Sequence, residues 1–564
     1  MREVLDKLMD SISIDELSRH INYLCNKIGI RIPGTNSEWD AAYYIVDQLK
    51  AAGLSAQVEP FEYLGWIFDE VEVYITYPIK KKLTSTWFVY SMPTPPNGVE
   101  GEVVYCGGCS FEELCNLDLN GKIALAGRRV TTSPGRHRMI CNVAERGAIA
   151  YLEFNTTIPE ELAKVGTASD KYVSDDYSHF IRLYPPIPAA SISYRDAKEI
   201  MDLMEKGPVK VRVKIGSSKP VMFWRKSPNV IAEIPGSKYP EEKIIIVAHH
   251  DADTIGAHDN ASGVAAAIEL AEFFLDNRPL RSIILLFPGA EQFGLHGSEA
   301  YVKAHRNELD SIVAVIDFGA IGFGEAFWLD RTPDLGDVFD EAVKLMNFNS
   351  KYPLIIQPPA IASDHAPFIW LAGIPGVELH WREFKYLFTP LDTPENINIK
   401  AVRDVAILGG LATYKLANSI ILPLNYERYA NEVLEAVIKI ESKFKVNLSS
   451  LRNSLNELKN VGAKVNELIK TGDENLNRIL MNAGRPLNRV MMGDFTYLPD
   501  IKDLASKINQ TSNAINSISK VEEANLELMF LRRKLKELEL KLEGLISNKK
   551  SAIEDALKIL SKAL

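Results

Sequence analysis

Three short apolar segments in the middle of the chain constrain its fold more than any other feature. They are KIIIVA (243–248), SIILLF (282–287) and SIVAVI (311–316), and stretches with helical spacing separate them. Short buried strands that alternate with helices are typical of a mostly parallel β-sheet flanked by helices. We therefore predict an α/β domain over residues 228–424.

The segments before and within this domain have different patterns. Residues 1–60 read as two helices around a loop, and we assign them to the same α/β domain, which is then discontinuous. In residues 61–227, apolar and polar side chains alternate over 71–77 and 209–215, as in strands with one solvated face. We therefore expect a separate β-rich domain, inserted between the two parts of the α/β domain.

The C-terminal region, residues 425–564, is predicted to be helical. It contains a seam of leucines separated by three and four residues: Leu528, Leu531, Leu535, Leu538, Leu542 and Leu545. Because the seam covers less than three heptads, it favours an intramolecular helical hairpin or a dimer contact over a long coiled coil.

Composition argues against several function classes. The 564 residues carry a formal net charge of −10, which is unfavourable for binding a nucleic-acid backbone. No uninterrupted apolar run approaches the roughly 18 residues of a membrane span. The N-terminal segment lacks the basic start and apolar middle of a secretory signal. We therefore expect a cytoplasmic protein without nucleic-acid or membrane partners.

The side chains suited to chemistry concentrate where the predicted strands end. Seven of the ten histidines lie between 249 and 380, and the densest cluster, AHHDADTIGAHDNASG, directly follows KIIIVA. Glu291 follows SIILLF, and Asp317 follows SIVAVI. The carboxyl ends of parallel strands meet at one edge of a sheet, so these residues should converge. Histidines and carboxylates together supply the metal ligands and the free base of a metal hydrolase.

Ordered motifs give this cluster a family resemblance. RIPGTNSEWDAAYYIVDQLKAAGL at 31–54 is followed, within 229–393, by NVIAEIPG, AHHDAD, GAHDNASGVAAAIELA, AEQFGLHGSEAYV, VIDFGAIG, SDHAPF and TPLDT. This order resembles the zinc aminopeptidase and glutamate carboxypeptidase family, family twenty-eight of peptidase clan MH. The segments GKIALAGR and NVAERGAIAYLEF resemble the protease-associated domain inserted in one branch of that family. A helical C-terminal domain fits the same branch, where it supports a homodimer, so we expect a homodimer.

The resemblance implies roles for five residues. His249, Asp259 and Asp317 correspond to ligands of one metal ion, and Asp259 corresponds to the carboxylate that two ions share in the family. Asp251 corresponds to the acid that orients the histidine, and Glu291 to the general base. The expected substrate is a peptide.

Two positions depart from the family pattern. The family has a second glutamate where this chain has Gln292, and a histidine where LFTPLDT places Phe388. Phenylalanine cannot bind a metal, and glutamine offers only a neutral oxygen. In the family both residues serve the second of two ions. We therefore predict one Zn²⁺ per chain, although a histidine with two carboxylates also suits other divalent metals.

Three further histidines are candidates for substrate contact or alternative ligation. His258 adjoins Asp259, His365 lies in SDHAPF, and His380 precedes Phe388 by eight residues. A rearranged loop would bring His380 to the position that Phe388 occupies. For each of them, packing or a hydrogen bond to a neighbour is the simpler structural interpretation.

The resemblance implies a metal-dependent exopeptidase, and we expect an aminopeptidase acting on short peptides. One alternative is a non-catalytic relative that kept the fold for binding, as the transferrin receptor did. Another is a one-zinc reaction like that of the glutaminyl cyclases, which are similar in fold. Those enzymes keep a glutamate and a histidine late in the sequence, and this chain lacks both.

Overall fold

The computed structural model describes residues 1–67, 69–128, 135–216, 222–493, 495–518 and 525–564. The α-helices are α1 (Arg2–Ser11), α2 (Ile14–Asn22), α3 (Asn36–Ala51), α4 (Phe111–Leu114), α5 (Gly135–Ala144), α6 (Tyr194–Met204), α7 (Ser262–Asp276), α8 (His296–Ala304), α9 (Gly336–Met346), α10 (Phe348–Lys351), α11 (His365–Ala372), α12 (Ile399–Asn418), α13 (Tyr426–Phe444), α14 (Ser449–Ile469), α15 (Leu476–Val490), α16 (Pro499–Ile518) and α17 (Asn525–Leu560).

The strands are β1 (Ala56–Trp66), β2 (Glu70–Tyr77), β3 (Lys81–Lys82), β4 (Ser85–Val89), β5 (Val99–Tyr105), β6 (Ile123–Arg128), β7 (Ala150–Asn155), β8 (Gly166–Thr167), β9 (Asp170–Val173), β10 (Phe180–Leu183), β11 (Ala189–Ile192), β12 (Lys210–Gly216), β13 (Met222–Ile234), β14 (Tyr239–Val247), β15 (Arg281–Phe287), β16 (Ile312–Phe318), β17 (Ala326–Arg331), β18 (Leu354–Gln357), β19 (Gly376–Arg382), β20 (Met492–Gly493) and β21 (Thr496–Tyr497).

The larger domain is built on a mixed sheet. In the part of the chain that the structure describes, this sheet has the order β1-β13-β15-β14-β16-β19-β17-β18. Its centre is parallel, because β14 pairs in parallel with β15 and β16, and β16 pairs in parallel with β19. The strands β14, β15 and β16 are the three apolar segments, and their side chains form the core with α7 and α12. This confirms the predicted α/β fold.

The flanks of the sheet are antiparallel. β1 pairs with β13 from Ala56↔Ala232 to Trp66↔Met222, and β13 pairs with β15. The domain boundaries expected at 61 and 228 therefore fall inside these two strands. Both strands are long because they form a continuous ribbon that leads from the larger sheet towards the inserted region.

The inserted region has a sheet of its own, with the order β3-β2-β12-β5-β6-β7-β11-β4-β8 among the described residues. Two apolar clusters cover it: one contains Val73, Ile123 and Val213, and the other contains Phe88 and Tyr151. The predicted alternating segments are β2 and β12, which pair antiparallel. The inserted region is thus β-rich, as predicted, and its likeness to the protease-associated domain stays a prediction.

The C-terminal region is helical, as predicted. The longest helix, α17, packs against α14, α15 and α16 of the same chain. In the leucine seam, Leu542 is buried, and Leu535, Leu538 and Leu545 are partly buried against the main core. Part of the seam therefore forms an intramolecular contact, and the homodimer stays a prediction. Among the described helices, none combines the length and apolarity needed to cross a bilayer.

Candidate metal centre and substrate pocket

His249 lies just beyond the carboxyl end of the central strand β14. Its side chain is only 2% exposed. Nδ1 lies 3.2 Å from the carbonyl oxygen of Asp251, and Nε2 lies 3.0 Å from Oδ1 of Asp259. Because a carbonyl oxygen only accepts a hydrogen bond, Nδ1 carries a proton. The ring is therefore oriented with Nε2 towards Asp259.

Asp251 joins two segments of the site. Its carboxylate accepts hydrogen bonds from the backbone N–H groups of Glu291 (3.1 Å) and Gln292 (3.0 Å). Its Oδ1 also lies 3.4 Å from Nδ1 of His249. One buried carboxylate thus fixes the loop after β14 relative to the loop after β15. This agrees with the orienting role that the resemblance implies.

Asp259 precedes α7 and is held from two sides. Its Oδ1 contacts His249, and the side-chain amide of Gln292 donates to its Oδ2 at 2.9 Å. Its backbone N–H donates to Asp392, which also accepts the N–H of His258. Gln292 therefore lies beside the carboxylate that the family resemblance assigns as the shared ligand.

Glu291 lies close to these groups. Its Oε2 is 3.8 Å from Nε2 of His249. Burial raises the pKa of the Glu291 carboxyl well above its ordinary value. His249 opposes this rise, whereas Asp364 and Asp251 add to it. Burial alone would lower the pKa of His249, but the surrounding carboxylates raise it well above its ordinary value, led by Glu291. Glu291 is therefore placed to exchange a proton.

Asp317 lies on β16, opposite Val247 of β14. Its Oδ2 accepts hydrogen bonds from the backbone N–H and from Nδ1 of His365, both at 3.0 Å. Its Oδ1 is buried and has no hydrogen-bond partner among the described residues. His365 is fully buried, so its visible role is to orient Asp317 rather than to line the pocket.

The three predicted ligands fit a divalent ion in their chemistry. They are one imidazole and two carboxylates, all buried, and one carboxylate oxygen of Asp317 is unpaired. The structure places His249 and Asp259 in contact, but the ligand atoms of the three residues do not all lie within 4.8 Å of one another. The ligand set stays a prediction.

His249, Asp259 and Glu291 line a cavity of about 320 Å³ together with side chains of the inserted region. The acidic wall is defined here as the carboxylates from the larger domain: Asp253, Asp259, Glu291, Glu378 and Glu383. The basic wall is defined as the cations from the inserted region: Arg136, Lys164, Lys171 and Arg182. Two lining residues do not follow this division: Asp170 is an acid from the inserted region, and Arg382 is a cation from the larger domain.

Lys164 is the most unusual member of the basic wall. It is only 6% exposed, and its Nζ lies 5.4 Å from the centroid of the Phe388 ring. Burial, together with the positive charges of Arg136 and Arg128, lowers the pKa of Lys164 to about 7, although Glu153 and Asp259 oppose this shift. No carboxylate in the described part of the chain lies within ion-pair distance of its Nζ. A buried ammonium without a counter-ion is unfavourable unless a ligand supplies the negative charge.

The position of Lys164 is set by packing between the two domains. Its neighbour Val165 donates a backbone hydrogen bond to the carbonyl oxygen of Phe388 at 2.9 Å. Val165 also belongs to an apolar cluster with Trp66, Ala290 and Phe293. Since Ala290 and Phe293 flank Glu291, the same cluster fixes the basic wall relative to the predicted base.

The remaining predicted residues lie nearby but in other contacts. His258 is fully buried, its Nδ1 accepts the N–H of Gly322 at 3.0 Å, and burial lowers its pKa to about 4. His380 lines the cavity but pairs with Asp330, its Nε2 lying 3.0 Å from Oδ2. Phe388 lines the cavity without offering a ligand atom. His258 therefore has a packing role in this structure.

Sequence reasoning missed two residues of the pocket, Lys164 and Lys171, and two carboxylates that lie behind it, Asp364 and Asp392. Asp392 clamps the segment that carries Asp259, and its presence in the TPLDT motif was a usable signal. Asp364, whose pKa is raised to about 7 by burial and by Asp317, was likewise visible in SDHAPF. Lys164 and Lys171 had no such signal, because a lysine in a β-rich segment is normally on the surface.

Comparisons with known proteins agree with this geometry. Residues 229–409 match the model of peptidase family M28. A probable glutamate carboxypeptidase of Arabidopsis thaliana is 23% identical, over 74% of this chain and 68% of that protein.

Two solved structures are similar in fold. An aminopeptidase from Aneurinibacillus sp. strain AM-1 is 25% identical with a TM-score of 0.55, covering 73% of this chain and 96% of that one. A zinc aminopeptidase from Bacillus subtilis is 21% identical with a TM-score of 0.57, covering 72% and 96%. Residues 229–409 are therefore similar in sequence to peptidase family M28, and the chain is similar in fold to solved aminopeptidases.

Proposed function

We propose that the protein is an exopeptidase that hydrolyses short peptides with one catalytic Zn²⁺, bound by His249, Asp259 and Asp317. The observation that carries the proposal is the double contact of Asp251. It holds the ring of His249 through Nδ1, and it holds the backbone of Glu291 through Oδ1. The ligand and the base are thereby fixed relative to each other, which is what a hydrolytic site requires.

The residues of the chain divide the work as follows. The Nδ1 proton of His249 is donated to Asp251, which leaves Nε2 available as a ligand atom. Glu291 takes a proton from the attacking water and delivers it to the leaving amine. Its raised pKa suits both transfers. A divalent ion bound at this site would supply Lewis acidity towards the peptide carbonyl.

The amide of Gln292 and the ring of Phe388 support a single catalytic ion. The side-chain amide of Gln292 donates its hydrogen bond to Asp259, and Phe388 has no ligand atom. A second ion beside Asp259 would therefore lack two protein ligands that the family resemblance assigns to it.

We propose further that the basic wall binds the free carboxylate of the substrate. Lys164 is a buried cation in the cavity that has no counter-ion among the described residues. A peptide with a free C-terminus would supply that charge. This favours a carboxypeptidase over the aminopeptidase expected from the sequence.

Aminopeptidase activity is the second candidate, and the acidic wall favours it. A substrate ammonium would be attracted to the carboxylates of Asp253, Glu378 and Glu383. The fold likeness to two aminopeptidases is consistent with this activity but does not distinguish it.

The test uses one tripeptide in four forms: both termini free, N-acetylated, C-amidated, and both blocked. We expect the N-acetylated form to be cleaved and the C-amidated form to be cleaved at least about 10-fold more slowly, the loss expected for one charge-assisted contact. The reverse order would replace the proposal with an aminopeptidase. Glu291→Gln serves as the background control.

The non-catalytic alternative is tested in the same experiment. If the protein with added Zn²⁺ cleaves none of the four peptides faster than Glu291→Gln does, the chain is a binding protein and Glu291 is a relic. Metal content of wild type and Asp259→Asn, measured by elemental analysis, separates loss of the ion from loss of the base.

A further inference from the structure

Another set of ligand-type side chains lies at the same cavity, which two of its three members line, and takes no part in the proposed reaction. It consists of Asp330 on β17 with Glu378 and His380 on β19. Each offers one ligand atom, and these atoms all lie within 4.8 Å of one another. All three residues are buried, Asp330 completely.

The backbone brings these residues together. β17 and β19 pair antiparallel, with Asp330 directly opposite Glu378 and Trp328 opposite His380. Residues opposite each other lie on the same face of a sheet, and so do residues two apart on one strand. The three side chains therefore share one face, and two regular strands hold them there rather than a loop.

The charges of this cluster are only partly compensated. His380 Nε2 and Arg382 Nη2 both approach the same oxygen, Oδ2 of Asp330, at 3.0 and 3.2 Å. The shortest approach of a cation to Glu378 is 3.9 Å, from Nδ1 of His380 to Oε1. Asp330 Oδ1 and Glu378 Oε2 are buried and have no hydrogen-bond partner among the described residues.

Arg382 is held away from the unpaired oxygens. Its guanidinium lies 4.3 Å from the ring centroid of Trp328 and 3.9 Å from that of Phe495. Stacked between these rings, it reaches one oxygen of Asp330 and makes no ion pair with Glu378 among the described contacts. Two carboxylates directly opposite each other repel, and unpaired buried oxygens are costly. A cation from solution would relieve both penalties.

We propose that Asp330, Glu378 and His380 bind a divalent transition-metal ion, separate from the ion at His249. One imidazole with two carboxylates is a donor set suited to Zn²⁺ or Mn²⁺. Ca²⁺ is disfavoured because it prefers six to eight oxygen ligands. This proposal does not depend on peptidase activity, since the cluster shares no ligand with the catalytic site.

The test counts bound metal in the full-length protein. Metal is removed with a chelator, Zn²⁺ is returned, and bound ions are measured by equilibrium dialysis with elemental analysis. We expect about two ions in wild type, about one in Asp259→Asn, about one in His380→Gln, and none in the double variant. His305→Gln is the matched control. The imidazole of His305 pairs with Glu59 and Glu308 outside the cavity, so the His305→Gln variant should retain two bound ions.

Co²⁺ absorption supplies a second readout. The visible spectrum of the Co²⁺ protein should lose one component in His380→Gln and the other in Asp259→Asn. If His380→Gln does not fold, as judged by circular dichroism, Glu378→Gln takes its place with the same expected loss.

One ion in wild type that His380→Gln leaves in place would overturn the proposal. So would an unchanged metal count in Glu378→Gln combined with weaker binding of free-amine peptides, because Glu378 would then bind a substrate ammonium. Failure of the catalytic site has a different signature: Asp259→Asn would leave the metal count unchanged, whereas His380→Gln would still lower it.

Discussion

The acidic and basic walls of the cavity differ in how their charges are satisfied. On the acidic wall, Asp259 is held by His249 and Gln292, and the adjoining Asp251 accepts two backbone N–H groups. On the basic wall, Arg136 pairs with Glu153, whereas Lys164 lies beside an aromatic ring and has no ion-pair partner among the described residues. The first arrangement is pre-organised by the chain itself, and the second is completed by a ligand.

This difference separates catalysis from recognition. A group that must hold its position through each turnover is fixed by bonds within the protein. A group that binds a ligand reversibly keeps its charge unpaired until the ligand arrives. Substitutions of Asp259 or Glu291 should therefore lower kcat, and substitutions of Lys164 should raise KM.

The largest effect is expected for Glu291→Gln. It removes the proton acceptor but retains the shape and the backbone bonds to Asp251, so kcat should fall about 10²- to 10⁴-fold. Metal content should stay as in wild type. Turnover within a few-fold of wild type would place the base elsewhere.

The next effect is expected for Lys164→Met. A hydrogen bond to a charged group contributes about 1.5–3 kcal/mol, so KM for N-acetylated peptides with a free C-terminus should rise about 10- to 100-fold. The variant should melt no lower than wild type, because it removes a buried charge without a counter-ion. Initial-rate kinetics and a thermal melt measure the two outcomes.

Lys198→Met is the matched control for this substitution. Lys198 belongs to the same inserted region but is exposed, and it pairs with Glu160 on the surface. It should change neither KM nor the melting temperature appreciably. An equal rise of KM in both variants would refute the specific role of Lys164.

A smaller effect is expected for Asp392→Asn. Asp392 accepts the N–H groups of His258 and Asp259 with separate oxygens, and an amide keeps only one acceptor. Metal affinity should fall about 10-fold, as it does when a group that orients a ligand is altered. Competition with a chromogenic chelator measures it, and wild-type affinity would mean that backbone geometry alone positions Asp259.

The smallest effect is expected when the pH is raised from 7 to 8, and it concerns kcat/KM. Lys164, with a pKa of about 7, is charged below that pH and neutral above it. For peptides with a free C-terminus, kcat/KM should therefore fall about fivefold between pH 7 and 8 through this group. Lys164→Met should lack this fall, and the pH profiles of the two proteins, measured side by side, isolate it.

The lowered pKa of Lys164 also affects the stability of the protein. The unfolded chain holds the Lys164 proton up to its ordinary pKa of 10.5, whereas the folded chain releases it near pH 7. Between these values the unfolded state binds more protons, so the contribution of Lys164 to the free energy of unfolding rises with pH.

Much of the catalytic site was predictable because its residues follow apolar strands directly. His249 comes two residues after β14, and Asp317 lies at the end of β16. In a parallel sheet the ends of adjacent strands converge whatever the loops do. The role of Asp251 could be inferred only through the family resemblance.

The contacts that complete the pocket were not predictable in the same way. Lys164 reaches Phe388 across more than two hundred residues, through packing between two domains. His380 was considered as a replacement ligand at the position of Phe388, but the structure pairs it with Asp330. That pairing depends on the antiparallel register of β17 and β19, which no local pattern encodes.

The sequence by itself determined the α/β core and the strand ends that carry the predicted ligands, because hydrophobic periodicity and the alternation of strands and helices along the chain are local properties. The tertiary structure alone decided which charges face one cavity. It placed the unpaired cation Lys164 beside Phe388, and it placed Asp330 opposite Glu378. Such long-range placements depend on domain packing and strand register, which the whole chain sets at once.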